Sequence, residues 1–86
     1  MGYDVALSAT AGRQFAALPR QVQQRLTTVI NRLASDPRPP GCKKLTGKNF
    51  YRVRAGDYRV IYTVEDDKLL VLVVSAGHRR DIYRKL

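Results

Sequence analysis

The chain has 86 residues, a length that fits one domain, and its sixteen lysines and arginines against seven acidic residues give a formal net charge of +9. Such an excess indicates a polyanionic partner such as nucleic acid, or an acidic protein. The single cysteine, Cys42, excludes an intrachain disulfide and argues against a cysteine-based metal site, and no apolar run is long enough to cross a bilayer. We therefore expect one cytoplasmic domain over residues 1–86, with no membrane segment.

The N-terminal half is predicted to form a strand and two helices. Alternating apolar residues over 3–7 predict a short strand, after which Ser8 or Thr10 is suited to cap a helix. Pro19 separates this helix from a second one. Apolar residues recur at helical spacing in both: Ala11, Phe15 and Leu18, then Val22, Leu26, Val29, Ile30 and Leu33. The pattern predicts a helical hairpin with one face in a core.

The C-terminal half is predicted to form a sheet. A proline-rich breaker over 36–41 and a basic loop over 43–48 precede three strand-like runs, 50–55, 58–65 and 68–75. Gly56-Asp57 and Asp66-Asp67 are suited to two-residue turns between these runs. The predicted fold class is α+β, with the N-terminal strand and helical hairpin packed on a twisted, mainly antiparallel sheet.

The first predicted turn fixes a strand register. A two-residue turn at Gly56-Asp57 places Arg54 opposite Arg59, and strand alternation puts Arg52 on the same side of the sheet. We call the side carrying Arg52, Arg54 and Arg59 the arginine face. Like charges directly opposite each other are unfavourable, so we expect an anion over this face, although a solvated surface is the simpler alternative.

The second predicted turn extends this register. With Asp66-Asp67 as the turn, Arg59 pairs with Val74 and Ile61 with Leu72. An exposed apolar strip then lies beside the arginines, formed by Ile61, Leu70 and Leu72. The only histidine, His78, would also point to the arginine face if the strand runs that far.

These residue types suit RNA cleavage by the 2′-hydroxyl group. That reaction needs a base, an acid and cations around the phosphate. His78 and Tyr83 are the candidate proton carriers, although the first could be an ordinary surface histidine and the second a core anchor. The candidate phosphate ligands are Arg52, Arg54, Arg59 and Arg79.

Four motifs together resemble the RelE toxins of the RelE/ParE superfamily, essentially from end to end. They are KLTG at 44–47, YRVR at 51–54, GDYRVIY at 56–62 and GHRRDIYR at 77–84. The resemblance implies a helical hairpin on an antiparallel sheet. It also implies an endonuclease that cleaves mRNA in the ribosomal A site, is neutralised by a RelB-like antitoxin and requires no cofactor.

The resemblance also implies roles for single residues. Arg59 and Arg79 match active-site arginines, and Tyr83 matches a C-terminal tyrosine that packs on the substrate or acts at it. Arg52 and Arg54 occupy positions that are often lysine in the family. Because arginine stays protonated and is a poor base, we expect His78 to be the base.

The complete set of expected contacts is as follows. The expected catalytic residues are Arg59, His78, Arg79 and Tyr83. The residues expected to bind RNA or phosphate are Lys43, Lys44, Lys48, Arg52, Arg54 and Arg80. The residues expected to bind the antitoxin are Ile61, Leu70 and Leu72. The expected partners are the antitoxin and the ribosome with mRNA. Two alternatives stay open: a ParE-like inhibitor of DNA gyrase without catalysis, and a plain RNA-binding domain.

Overall fold

The computed structural model describes residues 2–45, 47 and 49–82 of the chain. They form one five-stranded sheet in the order β1-β5-β4-β3-β2, with two helices. The elements are β1 (Asp4–Leu7), α1 (Ala9–Ala16), α2 (Arg20–Arg32), β2 (Lys43–Lys44), β3 (Tyr51–Ala55), β4 (Tyr58–Glu65) and β5 (Leu70–His78). Only β1 pairs in parallel, with β5, so the predicted fold class is confirmed.

The helical hairpin forms where the apolar pattern predicted it. Ser8 caps α1, because its Oγ accepts a hydrogen bond of 3.0 Å from the amide of Ala11. Pro19 precedes the first residue of α2. The buried helix residues pack with strand residues in a single core cluster, which includes Ala11, Leu26, Ile30 and Leu33 with Val53, Val60, Tyr62, Val71 and Val73. None of the helices in the described part of the chain is long and apolar enough to span a membrane.

The β3–β4 hairpin has the predicted register. Ala55 pairs with Tyr58 across the Gly56-Asp57 turn, and Arg54 lies opposite Arg59. Gly56 has φ +62°, a left-handed conformation that glycine adopts without a steric penalty. Local turn chemistry therefore sets this part of the sheet.

The predicted β4–β5 register is wrong. A 3₁₀ turn over Asp66–Lys68 connects the strands, followed by Leu69 with φ +49°, so Thr63 pairs with Leu72. A bulge beyond Tyr62 shifts the pairing by one more residue and sets Arg59 opposite Gly77 instead of Val74. A one-residue shift exchanges the two sides of a strand.

Two predicted placements change as a result. His78 pairs with Tyr58, on the side of the sheet that packs against the helices, so its expected position on the arginine face is wrong. Ile61 is 0 % exposed, so it does not belong to an exposed apolar strip. Leu70 and Leu72 are half-buried.

The edge of β5 that β1 leaves open is covered by α1. The pairing of β1 ends at Leu7 opposite Val73. Beyond that point, Gln14 Oε1 accepts hydrogen bonds from the Ala76 amide at 2.9 Å and from Ser75 Oγ at 3.0 Å. The amide side chain of Gln14 thus substitutes for a strand neighbour and satisfies a buried backbone donor.

Candidate nucleic-acid interface

The hairpin turn that joins β3 to β4 holds a buried arginine. Arg59 is only 8 % exposed, and its Nη1 donates to the carbonyl oxygens of Gly56 at 2.9 Å and of Tyr58 at 3.1 Å. Within the described residues, no carboxylate forms an ion pair with it. A buried cation without a counter-ion is costly, so an anion at this turn would stabilise it.

Arg79 reaches the same turn from the end of β5. Its amide donates to the carbonyl oxygen of Asp57 at 2.8 Å, and its Nε lies 3.8 Å from Asp57 Oδ1. Both side chains are largely exposed, so this ion pair contributes little to stability. The structure therefore places Arg79 at the same turn as Arg59, and their roles at a phosphate stay predictions.

The remaining predicted RNA ligands are more dispersed. Arg52 is half-buried, between Lys43 and Ile61 in the sheet. Arg54 is exposed and lines a cleft of about 220 Å³ with Arg32 of α2 and residues 39–41. Exposed positions are also taken by Lys43, Lys44 and Arg80. Lys48 and Tyr83 lie outside the described residues.

His78 occupies a different environment from the arginines. Its ring meets the Tyr58 ring edge-on, with centroids 5.4 Å apart. It lines a cleft of about 320 Å³ together with Gln14 and Leu18 of α1. Its Nδ1 accepts a hydrogen bond of 3.1 Å from the Arg80 amide, so neutral His78 carries its proton on Nε2.

Sequence reasoning missed Arg25, an exposed residue of α2. The Nη1 of this α2 residue lies 3.0 Å from the position that a Cβ atom on Gly56 would occupy. No signal in the sequence marks it, because helical periodicity does not determine which strand turn an exposed α2 side chain approaches. The described residues contain no cluster of three or more potential metal ligands.

The opposite end of β4 is electrostatically different. There Arg38 forms two hydrogen bonds to Asp66, and Tyr3 donates a third at 2.6 Å. The Arg38 and Tyr3 hydrogen bonds lower the pKa of Asp66 to about 2. Nearby, burial raises the pKa of Tyr62 above its ordinary value, and its hydroxyl donates to the Pro37 carbonyl at 2.7 Å. Arg38 is thus paired with a carboxylate at this end, whereas Arg59 at the Gly56 turn has no carboxylate partner among the described residues.

Comparison with known proteins identifies the family. Residues 5–83 match the model of the ParE toxin of the type II toxin–antitoxin system parDE. This chain belongs to that family. The matched range in this ParE-family toxin includes both the Gly56 turn and the segment that carries His78 and Arg79.

Individual relatives of this ParE-family toxin agree with that assignment. Toxin RelE of Mycobacterium tuberculosis is 32 % identical over 95 % of this chain and 87 % of its own length. A putative RelE-like toxin protein of Escherichia coli is 29 % identical over 96 % of this chain and 92 % of its own. The archaeal RelE–RelB complex of Pyrococcus horikoshii contains a chain with a TM-score of 0.81 and 28 % identity, covering 94 % of this chain and 99 % of that one.

Proposed function

We propose that this toxin is a ribosome-dependent mRNA endonuclease that cuts mRNA in the A site by 2′-hydroxyl attack, without a metal. The observation that carries the proposal is the Gly56 turn, where buried Arg59 and exposed Arg79 both lie and Asp57 pairs with Arg79. Fixed donors of this kind stabilise the charge that develops on a phosphate in the transition state. The net charge of +9 supports a polyanionic substrate and contacts with ribosomal RNA.

In this proposal His78 and Tyr83 transfer the protons. The Nδ1 atom of His78 accepts a hydrogen bond from the Arg80 amide, so its lone pair is not available to a substrate. His78 accepts the 2′-hydroxyl proton in our proposal only after that hydrogen bond opens and the ring turns from α1 toward the arginines, which requires a shift of the end of β5 and the residues after it. Tyr83 is the alternative base, or the acid on the leaving 5′ oxygen. Arg52 and Arg54 contribute charge to the same polyanion.

The proposed partner in the resting cell is a RelB-like antitoxin, and the proposed location is the cytoplasm. The archaeal relative was solved as a complex of RelE with RelB. An acidic amphipathic segment would complement the basic edge strand Lys43–Lys44 and the half-buried Leu70 and Leu72. Ile61 is fully buried, so it contributes to this contact only if antitoxin binding exposes its side chain.

Primer extension on a translated reporter mRNA after toxin induction tests the proposal. We expect new 5′ ends within codons that are being translated, and none when the same mRNA lacks its start codon. The ParE family model keeps a gyrase inhibitor as the second candidate. Intact reporter mRNA together with inhibited gyrase supercoiling would replace our proposal with that one.

A further inference from the structure

Three arginines from three different elements meet at the Gly56 turn, and one of them has no assigned role. Arg59 belongs to β4, Arg79 follows β5, and Arg25 lies in the middle of α2. Arg79 has Asp57 as its neighbour, whereas no carboxylate pairs with Arg25 or Arg59 within the described residues.

The two uncompensated guanidinium groups approach the same glycine. Arg59 Nη1 is 2.9 Å from the Gly56 carbonyl oxygen, and Arg25 Nη1 is 3.0 Å from the site of a Gly56 Cβ. Both groups are positive and border one residue, so a negative charge at this turn is favoured. Guanidinium groups bind phosphate oxygens in a planar, bidentate way, and exposed Arg25 has no carboxylate partner among the described residues.

We infer that Arg25 is a phosphate-binding residue, which holds a backbone phosphate of RNA at the Gly56 turn beside Arg59. The inference rests on the proposed function for the identity of the polyanion, but not for the cleavage step. Arg25 is exposed, so a phosphate reaches it without any rearrangement of α2.

Binding of a non-cleavable RNA measures this contact separately from catalysis. The probe is a fluorescent 12-nucleotide single strand with 2′-O-methyl ribose throughout, titrated by anisotropy over a range of NaCl concentrations. The logarithm of the binding constant falls linearly with the logarithm of the salt concentration. Each lost phosphate contact makes this slope shallower by about 0.7 for a single strand. We expect that loss for Arg25→Gln. Arg20→Gln, which removes the same charge from the exposed start of α2, should leave the slope at the wild-type value.

Equal slopes for the two variants would overturn the inference. Arg25→Gln could reduce both the salt slope and the thermal stability. In that case Arg25→Lys distinguishes phosphate binding from a structural role, because lysine keeps the charge but not the planar packing over the turn. Restoration of the slope by lysine supports phosphate binding, and failure to restore it assigns Arg25 a structural role only. A wild-type toxin that leaves mRNA intact on ribosomes but retains the Arg25-dependent slope would refute the proposed function alone.

Discussion

Arg38 donates hydrogen bonds to both carboxylate oxygens of Asp66, with Nη1–Oδ1 at 3.1 Å and Nη2–Oδ2 at 2.9 Å. The pair connects the loop after α2 to the turn between β4 and β5. Arg38 also donates from Nε to the Tyr51 hydroxyl at 3.2 Å, so one guanidinium group contacts the β3 strand as well. This arrangement anchors the proline-rich segment against the sheet.

The Arg38–Asp66 contact predicts a pH dependence of stability. The pKa of Asp66 falls from its ordinary 3.8 to about 2 on folding, so its stabilising contribution is complete above the higher value and is lost as pH falls toward 2. Urea unfolding between pH 5 and pH 2 should show a steeper loss of unfolding free energy for the wild type than for Asp66→Asn. Asp67→Asn is the control, and its profile should follow the wild type. Parallel profiles for wild type and Asp66→Asn would contradict the prediction.

Gln14 is predicted to stabilise the sheet edge through its side-chain oxygen. Gln14→Leu should lower the unfolding free energy by about 1–3 kcal/mol, because the buried Ala76 amide loses its acceptor. Hydrogen exchange at the Ala76 amide should accelerate in the same variant. Gln24→Leu, at an exposed position of α2, should change the unfolding free energy by less than about 0.5 kcal/mol. Unchanged exchange at Ala76 would show that water or another acceptor replaces Gln14.

The tautomer of His78 is a direct prediction of the geometry. Because Nδ1 accepts a hydrogen bond from the Arg80 amide, the ¹⁵N NMR spectrum of the single histidine should show the Nε2–H form when the ring is neutral. Arg80→Ala retains the amide donor and should give the same spectrum. An Nδ1–H form in the free toxin would mean that this hydrogen bond is absent in solution.

Arg79 is predicted to act mainly in cleavage. Arg79→Ala should reduce single-turnover cleavage on programmed ribosomes on the order of 30-fold, about 2 kcal/mol of barrier, because one phosphate ligand is lost. The matched control is Lys68→Ala, which also removes one positive charge but lies at the far turn beside Glu65. Its rate should stay within about twofold of the wild type. A wild-type rate in Arg79→Ala would remove Arg79 from the proposed active site.

The sequence predicted the local features of this fold and missed the ones that depend on distant residues. The Gly56-Asp57 turn is encoded by two adjacent residues, so the pairing of Arg54 with Arg59 followed correctly. The longer turn at Asp66 is stabilised by hydrogen bonds from Arg38 and Tyr3, which lie far away in sequence. No local sequence pattern predicts this turn.

The same reason explains the candidate site. The bulge in β5 has no glycine or other marker at Val74, yet it decides that His78 faces α1 rather than the arginines. The proximity of Arg25 to the β3–β4 turn depends on how α2 packs across the sheet, which helical periodicity alone does not determine. The β3–β4 register placed Arg59 beside the Gly56 turn, whereas Arg79 was predicted from the motif resemblance alone, because the predicted β4–β5 register was wrong.

The parallel pairing of β1 with β5 also sets the order in which the protein can assemble. Val5 pairs with Val71, so this strand pair joins segments 66 residues apart, whereas β3 and β4 meet across a two-residue turn. Contacts between distant segments form slowly, because a long loop must close first. We expect the β3–β4 hairpin to form early and β1 to dock late, so a nascent chain acquires its complete sheet only after β5, which ends at His78, has left the ribosome tunnel.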